Sequence, residues 1–259
     1  MPKLQALIFD VDGTLADTER DGHRLAFNRA FAESGLDWEW TVERYGELLE
    51  TTGGKERLQR YLKEDQPDYP LATDAPTWAA TIHKLKTKHY KALIQAGSIP
   101  LRPGVRRLIQ EARDAGIRLA IATTTTPENV TALLEAALAP DSFDWFEVIA
   151  AGDIVPAKKP APDIYLYALE KMGLKPEDCL ALEDSQQGLK SAVQAGLKTV
   201  ITLNDYTKNH NFSGAAIVLD QFGEPDAPFQ VLAGNPGGKS YFDVALARSL
   251  AEAQESRQP

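Results

Sequence analysis

The chain has 259 residues, 43% of them hydrophobic and 25% charged, with 37 acidic side chains against 28 basic ones and a formal net charge of −9. This is globular composition, and the length accommodates one large domain or a core with a smaller companion. The negative balance disfavours nucleic acid and anionic membranes as partners, while a local cluster of cations or a bound metal still admits an anionic small molecule.

The start reaches charge at Asp10 too soon for a signal peptide, and no apolar run approaches the ~20 residues of a membrane span. The expected location is cytoplasmic, or the chloroplast stroma if a transit peptide has been removed. The first short apolar run, residues 4–9, ends on Asp10. Similar runs recur at 117–122, 147–150, 179–182, 198–202 and 215–219, each of strand length. Helical patterns lie between them at 105–115, 127–138, 161–172 and 186–195, and three of these end at Gly116, Gly173 and Gly196. Strands alternating with helices predict an α/β fold, a doubly wound parallel sheet covered on both faces.

Residues 17–97 break this rhythm. They contain no strand-like run but four amphipathic stretches, at 21–34, 41–50, 55–63 and 76–96. A connection of this length is far longer than an ordinary crossover. It predicts a small all-helical domain at 17–97 inserted into a core made of 1–16 and 98–259. Residues 255–259 are expected to be loose. Cys179 is the only cysteine, which excludes an internal disulfide, and its apolar neighbours predict an inert buried thiol.

In open parallel sheets ligands bind beyond the carboxyl ends of the strands, so the residues after each apolar run are the informative ones. Asp10 and Asp12 follow the first, with Gly13 allowing a turn that points both carboxylates into one cleft. Thr123, Thr124, Thr125 and Thr126 follow the second and lead into a helix N-terminus, which suits a phosphate. Lys158 and Lys159 follow the third, at a helix start where a cation opposes the dipole and so points to an anion. Glu183 and Asp184 follow the fourth. Each string alone also fits a solvated turn or a helix cap; their joint order is what carries the reading.

These four segments resemble the four motifs of the haloacid dehalogenase (HAD) superfamily, a Rossmann-like core with a helical cap, and the likeness runs through most of the chain. The resemblance implies a Mg²⁺-dependent phosphatase. Asp10 is then the nucleophile and Asp12 the general acid/base, whose presence favours phosphotransfer over dehalogenation. Thr123 and Lys159 stabilise the transferring group; Lys158 is adjacent, but Lys159 holds the position before Pro160. Asp10, Asp12, Glu183 and Asp184 form the implied metal set, with Glu183 either a ligand or a holder of metal-bound water. A finer resemblance, to CbbY-type xylulose-1,5-bisphosphate phosphatases, rests on Asp17-Thr18-Glu19, the string from Thr52 to Arg57, residues 123–127, residues 182–186, and the stretch from Leu203 to Phe212. It implies that Glu19 and Tyr45 bind the sugar end, that Lys55 and Arg57 hold the distal phosphate, and that Gly54, Thr124 and Thr125 line the site.

The partner implied is therefore a small phosphorylated sugar, with no nucleic acid, no membrane and a monomeric chain. A β-phosphoglucomutase-like mutase shares all four motifs and stays open as the alternative, as does another sugar-phosphate phosphatase. A non-catalytic sugar-phosphate sensor would be expected to lack Asp10 or Asp12. Lys84, Lys88 and Lys91 share one helix face and are expected to be solvated; the four histidines show no metal spacing and receive no role. The string from Gly234 to Ser240 imitates a nucleotide-binding phosphate loop, but Ala233 stands where that loop needs its first glycine, so it is expected to be a surface connection before a C-terminal helix.

Overall fold

The computed structural model describes residues 4–253. Strand β1 (Ala6–Phe9) is followed by helices α1 (Arg24–Glu33), α2 (Val42–Leu48), α3 (Gly54–Asp65) and α4 (Ala75–Gln95). The chain then runs through α5 (Val105–Asp114), β2 (Arg118–Thr123), α6 (Pro127–Ala137), β3 (Val148–Ala151), α7 (Asp163–Met172) and β4 (Cys179–Glu183). It closes with α8 (Gln186–Gln194), β5 (Lys198–Thr202), β6 (Ile217–Leu219), β7 (Val231–Gly234) and α9 (Val244–Glu252). The strands form one sheet in the order β3-β2-β1-β4-β5-β6-β7. Every neighbouring pair is parallel except β6 and β7. This is the α/β fold that the alternation of runs predicts.

The apolar runs become strands because both faces of the sheet are covered. Leu7 and Phe9 of β1, with Leu119, Ile121, Leu180 and Leu182, bury one face against α5, α6 and α9. Ala6 and Ile8, with Ala120, Ala122 and Ala181, face α7 and α8. Small side chains on that second face let the helices approach closely. Cys179 lies in this layer, where burial pushes its thiol up to about 12, so it is inert as predicted. β1 sits between β2 and β4, so the chain order reverses beside it and opens a crevice at its carboxyl end.

The helical insert has a core of its own, built from Phe27, Phe31, Trp40, Tyr45, Leu58 and Tyr61. Thr41 and Asp74 cap α2 and α4 by accepting from Arg44 N and Thr77 N. Long α4 joins the two cores: Ala79 and Ile82 pack in the insert, whereas Tyr90, Leu93 and Ile94 join the sheet's cluster. Two features differ from expectation. The first cap helix is entered through a π-helical turn at Glu19–His23. An exposed edge strand, Val231–Gly234, also precedes the expected surface connection and pairs antiparallel with β6. Residues 255–259 lie outside the described part of the chain. No helix among the described residues is long and apolar enough to cross a membrane.

Candidate active site

Strand ends bring three of the four motifs together. Asp10 directly follows β1, and its backbone N–H donates to Leu182 O at 2.9 Å, holding it against the end of β4. Thr123 ends β2 and Glu183 ends β4, with Asp184 next in line. The cap of α8 is Ser185, whose side chain accepts from Gly188 N, so the acidic pair is left for the crevice. Gly13 (φ +89°) turns the chain away; a Cβ there would lie 2.3 Å from Asp184 Oδ2.

Lys159 reaches this floor from the loop before α7. It is buried, and its Nζ donates to Asp10 Oδ1 and Glu183 Oε1, both at 2.6 Å, and to Ala122 O at 2.9 Å. Tyr165 OH also donates to Glu183 Oε1 at 2.6 Å. Glu183 is 1% exposed and lies beneath the cavity floor, where it anchors the lysine. Asp10 and Asp184 do line the cavity, together with Thr123, Thr124 and Lys159. Lys158 points elsewhere, to Asp153 at 3.1 Å, so the geometry favours Lys159 as the lysine at the floor.

Crowded carboxylates in a dry floor resist ionising together. Burial pushes Asp10 up to about 7 despite Lys159 beside it. Asp184 is also held well above the usual carboxylate range, by burial and then by the charges of Asp10 and Glu183. For Lys159 burial acts downward, but Asp10 and Glu183 outweigh it and hold the ammonium charged.

Asp12 behaves in the opposite way. Burial would raise it, yet His23 and Thr18 hold it down at about 2. Thr18 Oγ1 donates to Asp12 Oδ1 at 2.5 Å, and His23 Nε2 lies 3.0 Å from the same oxygen. The histidine ring stacks on Tyr90 with centroids 4.0 Å apart. His23 has no role in the sequence reading, and Thr18 enters it only as part of the string Asp17-Thr18-Glu19, with no role of its own. They are five residues apart, a spacing that an α-helix turns to different faces, and the wider π-turn brings them to one carboxylate.

Above the floor lies a larger cleft of about 650 Å³ between cap and core. It shares Asp12, Glu19, Gly53, Arg57 and Thr124 with the floor cavity. Gly54, Lys55 and Thr125 line it as well, so the structure brings these predicted residues to one place. Thr125 N donates to Thr123 Oγ1, and Thr125 Oγ1 accepts from Asn129 Nδ2. Lys55 stands 3.8 Å from Asp153 and is 42% exposed, at the cleft mouth.

Tyr45 is a correction. It is fully buried in the cap's aromatic core and lines neither cavity. Its hydroxyl binds Glu19 and accepts from Arg57 Nη1 at 2.8 Å, so it orients two cleft residues rather than facing a ligand. The guanidinium of Arg57 also stacks over the Tyr45 ring at 5.1 Å.

The structure adds a cation that sequence spacing passed over. Lys86 is 4% exposed and lines the cleft. Its Nζ lies 5.3 Å from the Phe27 ring centre and 5.1 Å from that of Tyr90, with no hydrogen-bond or ion-pair partner among the described residues. Burial lowers it to about 8, although Glu19 and Asp12 support its charge. His83 beside it is pushed down to about 3 by burial and then by Lys86, so it is neutral. Of the lysines expected on a solvated face, Lys88 pairs with Glu33 and Lys84 reaches the cleft rim.

The floor fits a hard divalent cation. Asp10, Glu183 and Asp184 offer oxygens within 4.8 Å of one another. Lys159 offsets only part of their charge, and oxygen-only donors suit Mg²⁺ or Ca²⁺. Asp12, Glu19 and His23 form a second group of donors, but the Asp12 oxygen is already committed to Thr18 and His23.

The family model for haloacid dehalogenase-like hydrolases matches residues 4–196. Protein CbbY from Cupriavidus necator is 49% identical over 225 residues, covering 87% of this chain and 88% of that relative. Protein CbbY from Rhodobacter capsulatus is 54% identical over 213 residues, covering 82% and 91%. A crystal structure of a CbbY mutant from Rhodobacter sphaeroides in complex with xylulose-(1,5)bisphosphate superimposes with a TM-score of 0.76 at 49% identity, covering 85% of this chain and 96% of that one. On sequence, sheet order and the clustering of all four motifs, the chain belongs to the haloacid dehalogenase-like hydrolase family, as a phosphatase.

Proposed function

We propose that the chain is a Mg²⁺-dependent sugar-phosphate phosphatase that hydrolyses xylulose 1,5-bisphosphate to xylulose 5-phosphate and phosphate through an aspartyl-phosphate on Asp10. The observation that carries this reading is the pair of joined cavities. One is floored by Asp10, Lys159 and Asp184, and the other is lined by the cations Lys55, Arg57, Lys86 and Lys158. Two anion-compatible positions in one cleft suit a bisphosphate, the ligand class of the 49% identical CbbY structure.

In this mechanism Lys159 occupies Asp10 Oδ1 and leaves Oδ2 to attack phosphorus. The bond from phosphorus to the sugar oxygen breaks, and Asp12 supplies the proton that the leaving oxygen takes. An arriving phosphate dianion raises the proton affinity of Asp12, which His23 and Thr18 otherwise keep ionised. Asp12 then takes a proton from the water that attacks the aspartyl-phosphate, releasing phosphate and restoring Asp10. Thr123, Thr124 and Lys159 hold the equatorial oxygens. A Mg²⁺ held by the carboxylates of Asp10 and Asp184 and the backbone carbonyl of Asp12, with Glu183 behind them, would keep the carboxylates ionised and offset the substrate's charge. In this reading Glu19 and Arg57 bind the sugar and its distal phosphate, supported by the Tyr45 hydroxyl that bonds them both.

Phosphate release from a panel of sugar mono- and bisphosphates with Mg²⁺, repeated in EDTA, tests this function. Xylulose 1,5-bisphosphate should give the highest kcat/KM and lose one phosphate per molecule, with no turnover in EDTA. Equal kcat/KM across the panel would sink the substrate assignment. Isomerisation of a sugar monophosphate without phosphate release would identify a mutase.

Lys86 gives a separate prediction. A buried ammonium without an anionic partner costs stability, so Lys86→Met should leave Tm unchanged or raise it. The same change should raise KM for the bisphosphate about 10-fold or more, the worth of one charge-assisted hydrogen bond. A lower Tm with unchanged KM would make Lys86 structural.

A further inference from the structure

The turn after β5 touches both the floor and the cap. Asn204 Nδ2 donates to Asp184 Oδ2 at 2.6 Å. The turn holds that side-chain amide through its oxygen, since Asn204 Oδ1 accepts from Tyr206 N at 3.0 Å, while the backbone N–H of Asn204 donates to Thr207 Oγ1 at 2.9 Å. Two residues along, the Tyr206 ring meets the cap edge-on, with its centroid 6.0 Å from that of Tyr45. It also covers Gly46, where a Cβ would come within 3.1 Å of the Tyr206 ring. Between them, Asp205 pairs with Arg20 of the π-turn at 2.5 Å. That ion pair is exposed and weak, so the ring contact holds the turn to the cap. The Tyr206 hydroxyl is buried and has no hydrogen-bond partner among the described residues, so its ring, not its oxygen, makes the contact.

We infer that Tyr206 is a positioning residue which transmits the seating of the cap to Asp184 through Asn204, so that the cation site is complete only when the cap is docked. This rests on the proposed cation at Asp10 and Asp184. It explains why the neighbour of a floor carboxylate is carried on a loop that contacts the cap. Removing an outer partner of a metal-holding carboxylate typically weakens metal binding by about 10- to 100-fold. Tyr206 acts one step further away and should fall near the lower end.

Calorimetric titration of Mg²⁺ into the full chain without substrate tests the link. Tyr206→Ala should weaken Mg²⁺ binding about 10-fold, and Tyr206→Phe should bind as the unaltered chain does, because the hydroxyl is unused. Gly46→Ala approaches the same contact from the cap. It favours the α2 helix intrinsically, yet it pushes on Tyr206, so it too should weaken Mg²⁺ while its circular-dichroism melt is retained or raised. If Tyr206→Ala fails to fold, Gly46→Ala decides alone. Unchanged Mg²⁺ affinity in a folded Tyr206→Ala or Gly46→Ala, or a Tyr206→Phe as weak as Tyr206→Ala, overturns the inference. No Mg²⁺ binding by the unaltered chain would instead refute the cation itself.

Discussion

Asp10→Asn should abolish phosphate release, by about 10⁴-fold or more, while leaving Tm unchanged or higher. The two halves have different causes. The amide keeps the shape of the carboxylate but cannot form the aspartyl-phosphate. It also removes one of three carboxylates crowded within 4.8 Å, and burial already disfavours the ionised form of Asp10 itself. Lys159 keeps Glu183 Oε1 at 2.6 Å and Ala122 O at 2.9 Å, so its charge stays partnered. Thermal melts in EDTA and phosphate release with Mg²⁺ check both halves together. A large fall in Tm would place Asp10 in the framework of the fold, and residual turnover near the unaltered rate would remove it from the chemistry.

Lys159→Met should show the opposite combination, losing both stability and activity. The ammonium is the one side-chain cation bonded to Asp10 and Glu183 among the described residues. Taking it away leaves buried carboxylates facing one another, and breaking such a pair costs about 3–5 kcal/mol. In a chain this size Tm should fall by roughly 10 °C. Turnover should fall by about 10²- to 10³-fold, since the equatorial oxygens lose a preorganised donor. Adding Glu183→Gln to this variant should recover part of Tm, because it removes one unpaired charge, but none of the rate. Mg²⁺ should also raise Tm, by binding the folded state. A Lys159→Met chain as stable in EDTA as the unaltered one would contradict this view of the floor.

The parts of the site that were legible in the sequence are those fixed by strand ends. A residue after a short apolar run can only emerge at the sheet's carboxyl edge, so Asp10, Thr123, Glu183 and Asp184 meet whatever else the chain does. What stayed hidden depends on geometry that residue spacing does not carry. His23 reaches Asp12 only through a π-turn. Tyr45 looks like a binding residue as well as a core residue until its ring is seen packed against Trp40 and Phe27. Lys86 left a usable signal: it lies on the stripe of α4 that includes Ile82, Tyr90 and Leu93, where a lysine has no reason to sit unless it faces something polar. Strand β7 gave no signal, because an exposed edge lacks the alternation that marks a half-buried strand. Asn204 lies in a loop, and only the folded chain brings it to Asp184.

The claim on which all of this turns is that the phosphoryl group passes through Asp10. Acid-quenching the enzyme during turnover of xylulose 1,5-bisphosphate, followed by peptide mass analysis, tests it directly. The account predicts one phosphoryl group on the peptide carrying Asp10, labile to hydroxylamine as an acyl phosphate is, and none in the Asp10→Asn chain. Phosphorylation at another residue, or the same label on the Asp10→Asn chain, would contradict it.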